Sequence, residues 1–188
     1  MKRSLAAGGL LLLAMLTQGC SLFVSVPPLD PLPQTRVVLT NVEYTPQAGD
    51  TDCGPACLAT VMRHLGSDRT LAQVTGQLKQ TDGGGTIFVE MLYGARKNGF
   101  KCTMIEGDIN TLRRGILAGK PLILLLHPMP DIVRVIGRRG HYVVAVGYDD
   151  ERREAVIHSG TTPFDTISYR RLQLEWSRAN FLGLFIEK

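Results

Sequence analysis

Apolar residues recur three and four positions apart through the first part of the chain, which is the spacing of one buried face of a helix. Glycines follow several of these segments and supply the left-handed residue that commonly ends a helix. Helices are predicted over 53–65, 71–79, 87–98 and 109–117. A strand is predicted over 100–105, between the third helix and the fourth.

The second part of the chain carries apolar runs bounded by turn residues, which is typical of strands. The run from Pro121 to His127 is predicted to be a buried central strand. Further strands are predicted over 131–136, 141–148, 155–158, 166–169 and 182–186, with a helix near 172–178. This order predicts an α+β domain in which N-terminal helices pack on a C-terminal antiparallel sheet.

The start of the chain has the pattern of an export signal. Lys2 and Arg3 precede an apolar run over 5–16 that is short for a membrane span. Cys20 follows soon after this run, so we expect residues 1–19 to be a lipoprotein signal peptide and Cys20 to carry the lipid.

The residues around Cys20 bear on its destination in the cell envelope. Ser21, in place of aspartate, resembles lipoproteins that are sent to the outer membrane, where this domain would face the periplasm. Thr17 and Gln18 depart from the usual lipoprotein pattern, which leaves ordinary secretion and an uncleaved anchor as alternatives. Prolines are frequent after Cys20, so residues 20–40 are predicted to be an extended tether and residues 41–188 the folded domain.

Net charge and cysteine spacing limit which ligands and which disulfides the sequence suggests. The formal net charge is +4, and removing residues 1–19 takes away two cations and no acid, which leaves +2. No basic run suggests nucleic acid, and no pattern implies a metal or an organic cofactor, because the cysteines lack a second closely spaced ligand pair for zinc. A disulfide between Cys57 and Cys102 is one alternative, and three free thiols in the mature domain are the other.

Cys53 stands at the first turn of a predicted helix, where a thiol becomes reactive. Asp52 or Thr51 can act as its N-cap, and Pro55 is tolerated because the first turn of a helix needs no amide donor at that position. The free N–H groups and the positive end of the helix dipole favour a thiolate there. His141 begins a buried strand, so the two residues have the placement of a cysteine nucleophile and its histidine base.

Two motifs carry a resemblance to a known family. A glutamine upstream is followed by Asp-Cys-Gly and a helical run, here Gln47, 52–54 and 58–61. A Gly-His-aromatic motif leads into a valine-rich strand and Gly-Tyr-Asp, here 140–142 and 147–149. Over residues 40–187 the chain resembles the bacteriocin-processing, or double-glycine, cysteine peptidases, which have a papain-like fold.

The resemblance implies roles for individual residues. Cys53 would be the nucleophile, His141 the general base, and the Gln47 side-chain amide a donor to the oxyanion together with the Cys53 N–H. The family places an aspartate on the strand after the histidine strand, and the matching segment here, 156–160, has none. His158 is the expected substitute, with Ser159 as an alternative within that segment. Asp149 and Asp165 are nearby carboxylates that the motif does not favour.

The expected function is therefore that of an envelope-anchored cysteine peptidase that cleaves a peptide or protein substrate after Gly-Gly or other small residues. Family members that trim leader peptides are usually fused to an ABC transporter, and this sequence shows no nucleotide-binding motif. A degenerate domain that binds peptides without cutting them is the alternative, because the aspartate is missing. Acyl transfer and deamidation use the same Cys–His pair and are a third reading.

Overall fold

The computed structural model describes residues 24–82, 84–128 and 140–188. Its helices are α1 (Cys53–His64), α2 (Leu71–Thr75), α3 (Phe88–Lys97), α4 (Ile109–Leu117) and α5 (Tyr169–Ser177). Its strands are β1 (Arg36–Val38), β2 (Lys101–Glu106), β3 (Leu122–Leu126), β4 (His141–Asp149), β5 (Glu154–Ser159), β6 (Thr162–Ser168) and β7 (Leu182–Glu187). The predicted signal peptide, Cys20 and the predicted strand 131–136 lie outside the described residues.

The seven strands of the described residues form one antiparallel sheet, six of them in the order β2-β7-β3-β4-β5-β6. The longest strand, β4, also pairs with β1. The β1 partners are residues 147–149, which lie beyond the part of β4 that pairs with β3. The prediction of an α+β domain built on an antiparallel sheet is confirmed.

Helices cover both faces of this sheet, because β4 is apolar on both sides. Tyr142, Val144 and Val146 pack on the face covered by α1, α2 and α3. Val143 and Ala145 pack on the opposite face, which α4 and α5 cover. A bulge between Ala145 and Gly147 shifts by one residue which β4 side chains face each side of the sheet. Tyr148 therefore packs on the same face as Val143 and Ala145, the face covered by α5.

The segment predicted to be a tether is extended but lies against the domain. Val26, Leu29 and Leu32 pack on the cluster under α4 and α5, and β1 belongs to the sheet. The Asn110 side chain donates to the Pro28 carbonyl at 2.8 Å. The described part of this segment, residues 24–40, is therefore docked, and the sheet begins before residue 41.

Local signals set most of the helix ends. Predicted and observed bounds of α4 coincide, and Asp108 caps it by accepting from the Thr111 N–H at 2.7 Å. After α1, Gly66 has φ +91°, as expected of the residue that follows a helix. Helix α2 ends earlier than predicted, at Thr75, and β6 starts four residues earlier than predicted, at Thr162. Among the described residues, none of the helices is long and apolar enough to cross a membrane.

Candidate active site

Cys53 is the first residue of α1 and is half-buried. Asp52 occupies the N-cap position, but its side chain accepts no hydrogen bond from the helix, and the first turn carries no acidic residue. The N–H groups of the first turn therefore receive no side-chain acceptor from Asp52 and remain available to an oxyanion beside Cys53.

Gly54 lets the start of α1 approach its neighbours closely. A Cβ at this position would lie 3.1 Å from the Met91 sulfur, 3.2 Å from the Tyr142 ring and 3.4 Å from the Thr86 Cβ. These contacts are tight for a methyl group, so a glycine after the cysteine fixes the distance between α1, β4 and the loop before α3.

A cavity of about 330 Å³ opens beside Cys53. One wall is the loop that carries Gly84, Gly85 and Thr86, and the other is formed by the end of β3 and the start of β4. Both glycines have positive φ, at 74° and 84°. The Thr86 hydroxyl is buried and has no hydrogen-bond partner within the described part of the chain, so the cavity wall holds one unused polar group.

His141 is the first residue of β4 and pairs with Leu126 of β3. Its Nε2 lies 2.9 Å from the Ser159 Oγ. That contact does not engage Nδ1, and the alternation along β4 places the imidazole on the α5 face, whereas Cys53 packs on the α1 face. The residues on either side of His141, Gly140 and Tyr142, line the cavity with Cys53, whereas the imidazole itself is not part of that lining.

Burial lowers the pKa of His141, because the charged imidazolium loses hydration. The negative charge of Glu175, a buried residue of α5, opposes this change. The Glu175 carboxylate also accepts from the Arg171 Nε at 2.8 Å. Sequence reasoning missed Glu175, since no local pattern shows which residue of α5 lies nearest to β4.

The expected partner of His141 was His158, and the structure corrects this. Val144 pairs with His158, so His158 points to the α1 face and the next residue, Ser159, points to the α5 face with His141. Both His158 ring nitrogens are engaged elsewhere: Nε2 lies 3.1 Å from the Val42 carbonyl, and Nδ1 accepts from the Phe164 N–H at 3.1 Å. The hydrogen bond to His141 belongs to Ser159, the alternative within the same segment.

The two other carboxylates considered from the sequence lie elsewhere. Asp149 is at the far end of β4 and faces Arg36, with its Oδ2 3.6 Å from the Arg36 Nε. Asp165 is exposed on β6 and accepts from the Thr166 N–H. Neither is a partner of His141.

Gln47 is held next to the turn that follows Ser159. Its N–H donates to the Gly160 carbonyl at 3.1 Å, and the Tyr44 hydroxyl donates to the same carbonyl at 2.5 Å. The Gln47 Oε1 is buried and accepts no hydrogen bond from the described residues. The backbone of Gln47 is thus fixed close to the Ser159 strand, while no partner locks the side-chain amide.

His158 stabilises this arrangement instead of acting on His141. Its ring stacks on Tyr44 with centroids 4.8 Å apart and meets the Phe164 ring edge-on at 4.6 Å. Together with its bond to the Val42 carbonyl, these contacts join the segment that leads to Gln47 to β5 and β6. Burial lowers the pKa of His158, so the ring is held neutral.

The three described cysteines are free and differ in surroundings. Burial, and then the charge of Cys53, raise the pKa of Cys57 well above that of an ordinary thiol. Burial raises the pKa of Cys102 to about 11. Cys57 and Cys102 are therefore inert core thiols, and the disulfide considered from the sequence is not formed.

His127 is a second histidine at the site. It follows β3, lines the Cys53 cavity and lies with its Nε2 3.5 Å from where a Cβ of Gly140 would be. Its N–H donates to the Glu175 carbonyl at 2.9 Å, which fixes its backbone. The strand pattern could have found it, because His127 and the cavity residue Leu125 are two positions apart and face the same side. No group of three or more metal-binding side chains comes together in the described part of the chain.

This arrangement suits nucleophilic attack on a carbonyl carbon. A half-buried thiol lies at a helix start with N–H donors beside it, and a histidine whose Nδ1 has no partner among the described residues begins the adjacent strand. The same groups serve peptide hydrolysis, amide hydrolysis and acyl transfer.

Comparison with known proteins agrees with the resemblance carried by the two sequence motifs. Residues 41–183 match the model of the peptidase C39 family. An uncharacterized protein from Methanothermobacter marburgensis is 33% identical over 107 residues, which cover 55% of this chain and 63% of that protein. The pediocin PA-1 transport/processing ATP-binding protein PedD of Pediococcus acidilactici is 27% identical over 139 residues, which cover 72% of this chain but 17% of PedD. The matches thus span less than two thirds of these relatives.

A solved structure shows the same fold. The peptidase domain of Streptococcus ComA, a bi-functional ABC transporter involved in a quorum-sensing pathway, superposes with a TM-score of 0.61 and 28% identity. The match covers 78% of this chain and 98% of that domain.

Proposed function

Because the chain belongs to the peptidase C39 family, we propose that it is a papain-like cysteine peptidase, anchored in the bacterial cell envelope through a lipid on Cys20. The observation that supports catalysis most directly is the position of Cys53. Its thiol lies in a cavity at the N-terminal end of α1, beside the free N–H groups of the first turn, and His141 begins the strand whose next residue, Tyr142, lines that cavity.

The proposed reaction begins when the Cys53 sulfur attacks the carbonyl carbon of the scissile bond and His141 Nδ1 takes the thiol proton. The Cys53 N–H and the Gln47 side-chain amide donate to the resulting oxyanion. Collapse of the tetrahedral intermediate breaks the C–N bond, and the imidazolium gives its proton to the leaving amine. Water, deprotonated by His141, then hydrolyses the thioester and restores the thiol.

The substrate is proposed to be a peptide cleaved after Gly-Gly or other small residues. The names of two similar proteins support this class, since PedD is a transport/processing protein and ComA carries a peptidase domain. The cavity beside Cys53 is at the small end of the range for ligand sites, and Phe88, Leu125 and Tyr142 contribute large side chains to its walls.

Peptide binding without cleavage is the second candidate function. Two observations favour it: the partner of His141 is the neutral hydroxyl of Ser159, and the imidazole is not part of the cavity lining. Burial also lowers the pKa of His141, which disfavours the imidazolium that the reaction needs. Such a domain would bind a peptide in the cavity and would not hydrolyse it.

Labelling with iodoacetamide, followed by intact mass, separates the two candidates. A peptidase should be labelled at Cys53 from about pH 5 upward, and His141→Ala should abolish labelling at low pH. Cys53→Ala should remove that label and keep the melting temperature, while Cys57 and Cys102 stay unlabelled because they are buried. Labelling that rises only near pH 8.5, the value for an ordinary thiol, would contradict the peptidase proposal.

Lipid anchoring is tested independently of Cys53. Intact mass of the protein from the membrane fraction should show cleavage before Cys20 and the added mass of acyl chains. Cys20→Ser should move the protein out of that fraction. An unmodified Cys20 would contradict anchoring, and its own label would be common to the native protein and Cys53→Ala, so the comparison that tests Cys53 would still hold.

A further inference from the structure

Three arginines are clustered on one surface of the domain, and the proposed catalytic chemistry does not use them. Arg152, Arg153 and Arg170 are exposed and line a groove of about 590 Å³ together with residues 24–26 and Ser168. In the described ranges none of the three takes part in a salt bridge. We name these three side chains the basic patch.

The neighbouring acids are only partly available to neutralise the basic patch. Asp149 faces Arg36, and Asp150 receives two hydrogen bonds from the buried Arg113, at 2.8 and 2.5 Å. Glu151, in the turn, and Glu154, the first residue of β5, do not line the groove. Inside the groove, the charged side chains are therefore all cationic.

The backbone holds the basic patch in place. Arg153 has φ +54°, and its carbonyl accepts from the Tyr169 N–H at 2.7 Å, which joins the turn between β4 and β5 to the start of α5. Arg170 is the second residue of α5. A turn and a helix start thus present the three cations from a fixed framework, which limits the ordering cost of binding.

The basic patch lies at the end of the sheet opposite the Cys53 cavity. The His141 end of β4 borders the cavity, and Arg152 and Arg153 follow its Asp149 end. A strand of nine residues spans about 27 Å at 3.3 to 3.4 Å per residue. The basic patch and the Cys53 cavity are therefore separated by about the length of β4.

The chain also leaves the described domain at the basic patch. Val24, the first described residue, lines the groove and lies four positions after Cys20. Four residues reach at most about 14 Å when fully extended. A lipid on Cys20 would therefore insert into a bilayer whose surface lies close to the three arginines.

We propose that the basic patch binds the anionic headgroups of the bilayer in which the Cys20 lipid inserts. The inference rests on the proposed lipid anchor and goes beyond the peptidase activity. The contact orients the domain, with the arginines against the membrane and the Cys53 cavity facing away from it into the aqueous compartment. Electrostatic attraction of this kind weakens as salt is added.

The test uses the lipidated protein purified from membranes and inserted into nanodiscs of phosphatidylcholine, with or without phosphatidylglycerol. Hydrogen–deuterium exchange is followed in peptides covering 150–154 and 168–171. Exchange should slow by about fivefold or more only when phosphatidylglycerol is present, and high salt should reverse the effect. Exchange in peptides lining the Cys53 cavity should stay unchanged between the two nanodiscs.

Matched variants complete the test. Replacing Arg152, Arg153 and Arg170 by Gln should abolish the slowing. Replacing three exposed cations outside the groove, at Arg69, Lys79 and Arg178, removes the same charge and should preserve it. Equal exchange in both nanodiscs, or slowing that survives in the first variant, would overturn the proposal. An unlipidated Cys20 would overturn it too, and would leave the peptidase proposal, which is tested at Cys53, standing.

Discussion

Replacing Ser159 by aspartate should strengthen the base of the proposed catalytic pair. The Ser159 Oγ lies 2.9 Å from the His141 Nε2, and both side chains are at the same end of the sheet. A carboxylate there would accept from the Nε2–H and carry the charge that the imidazolium needs. Asparagine at the same position has almost the same shape without the charge, so Ser159→Asn is the matched control.

The size of the effect follows from the change in the hydrogen bond. A neutral bond contributes about 0.5–1.5 kcal/mol and a bond to a charged group about 1.5–3 kcal/mol. The difference of about 1–1.5 kcal/mol corresponds to about one unit in the pKa of His141. Glu175 already opposes the effect of burial on His141, so the gain should not greatly exceed this value.

The direct assay is an NMR titration of the His141 ring in a Cys53→Ala background, where no thiolate couples to the imidazole. Ser159→Asp should raise the pKa of His141 by about one unit relative to Ser159→Asn. With Cys53 restored, the aspartate variant should react faster with iodoacetamide at about pH 5. Equal pKa values of His141 in the two variants would refute the assignment of Ser159 as its partner.

Three further predictions concern stability, each measured by urea denaturation. Arg113→Met should lower the free energy of unfolding by about 3–5 kcal/mol, because Asp150 loses the buried partner to which it is bonded twice; an unchanged value would contradict this. Gly147→Ala should cost about 1–3 kcal/mol and speed exchange in β1, since its Cβ would lie 2.8 Å from the Val37 carbonyl; unaltered exchange would argue against that clash. Burial lowers the pKa of His158, so the unfolded state binds a proton at a higher pH than the folded state does. As the pH is lowered from about 6.5, the free energy of unfolding should therefore decrease, by up to about 1.4 kcal/mol for each pH unit. His158→Gln should reduce this slope and leave the part contributed by His141, whose pKa burial also lowers, and an unchanged slope would assign all of it to other groups.

The sequence predicted those features whose cause is local. The cysteine at a helix start, the glycine after that helix and the histidine that begins an apolar strand are each indicated by their immediate sequence neighbours. The order of helices and strands followed from periodicity, and α4 was predicted to the residue because apolar spacing and the Asp108 cap agree. These elements place the proposed nucleophile and base at one end of the sheet.

Features that depend on register or on distant contacts could not be predicted. Whether His158 or Ser159 faces His141 is decided by how β5 pairs with β4, and a shift of one residue exchanges the two faces. Strand β1 has three residues and exists because it pairs with the end of β4. The influence of Glu175 arises from the way α5 packs on the sheet, and no spacing in the sequence encodes it.

The place of β7 in the sheet has a consequence for biosynthesis. It is the last of the described strands in chain order, yet it lies between β2 and β3, and among the described residues it is the strand with which β2 pairs. A polypeptide that emerges from a ribosome or a translocation pore from its N-terminus onward cannot close this sheet until Glu187 has emerged. Until then β2 and β3 expose unpaired edges, which are vulnerable to aggregation and open to a chaperone. Before β7 emerges the sheet stays open, which makes it easier to keep the chain in a form that can pass through a pore.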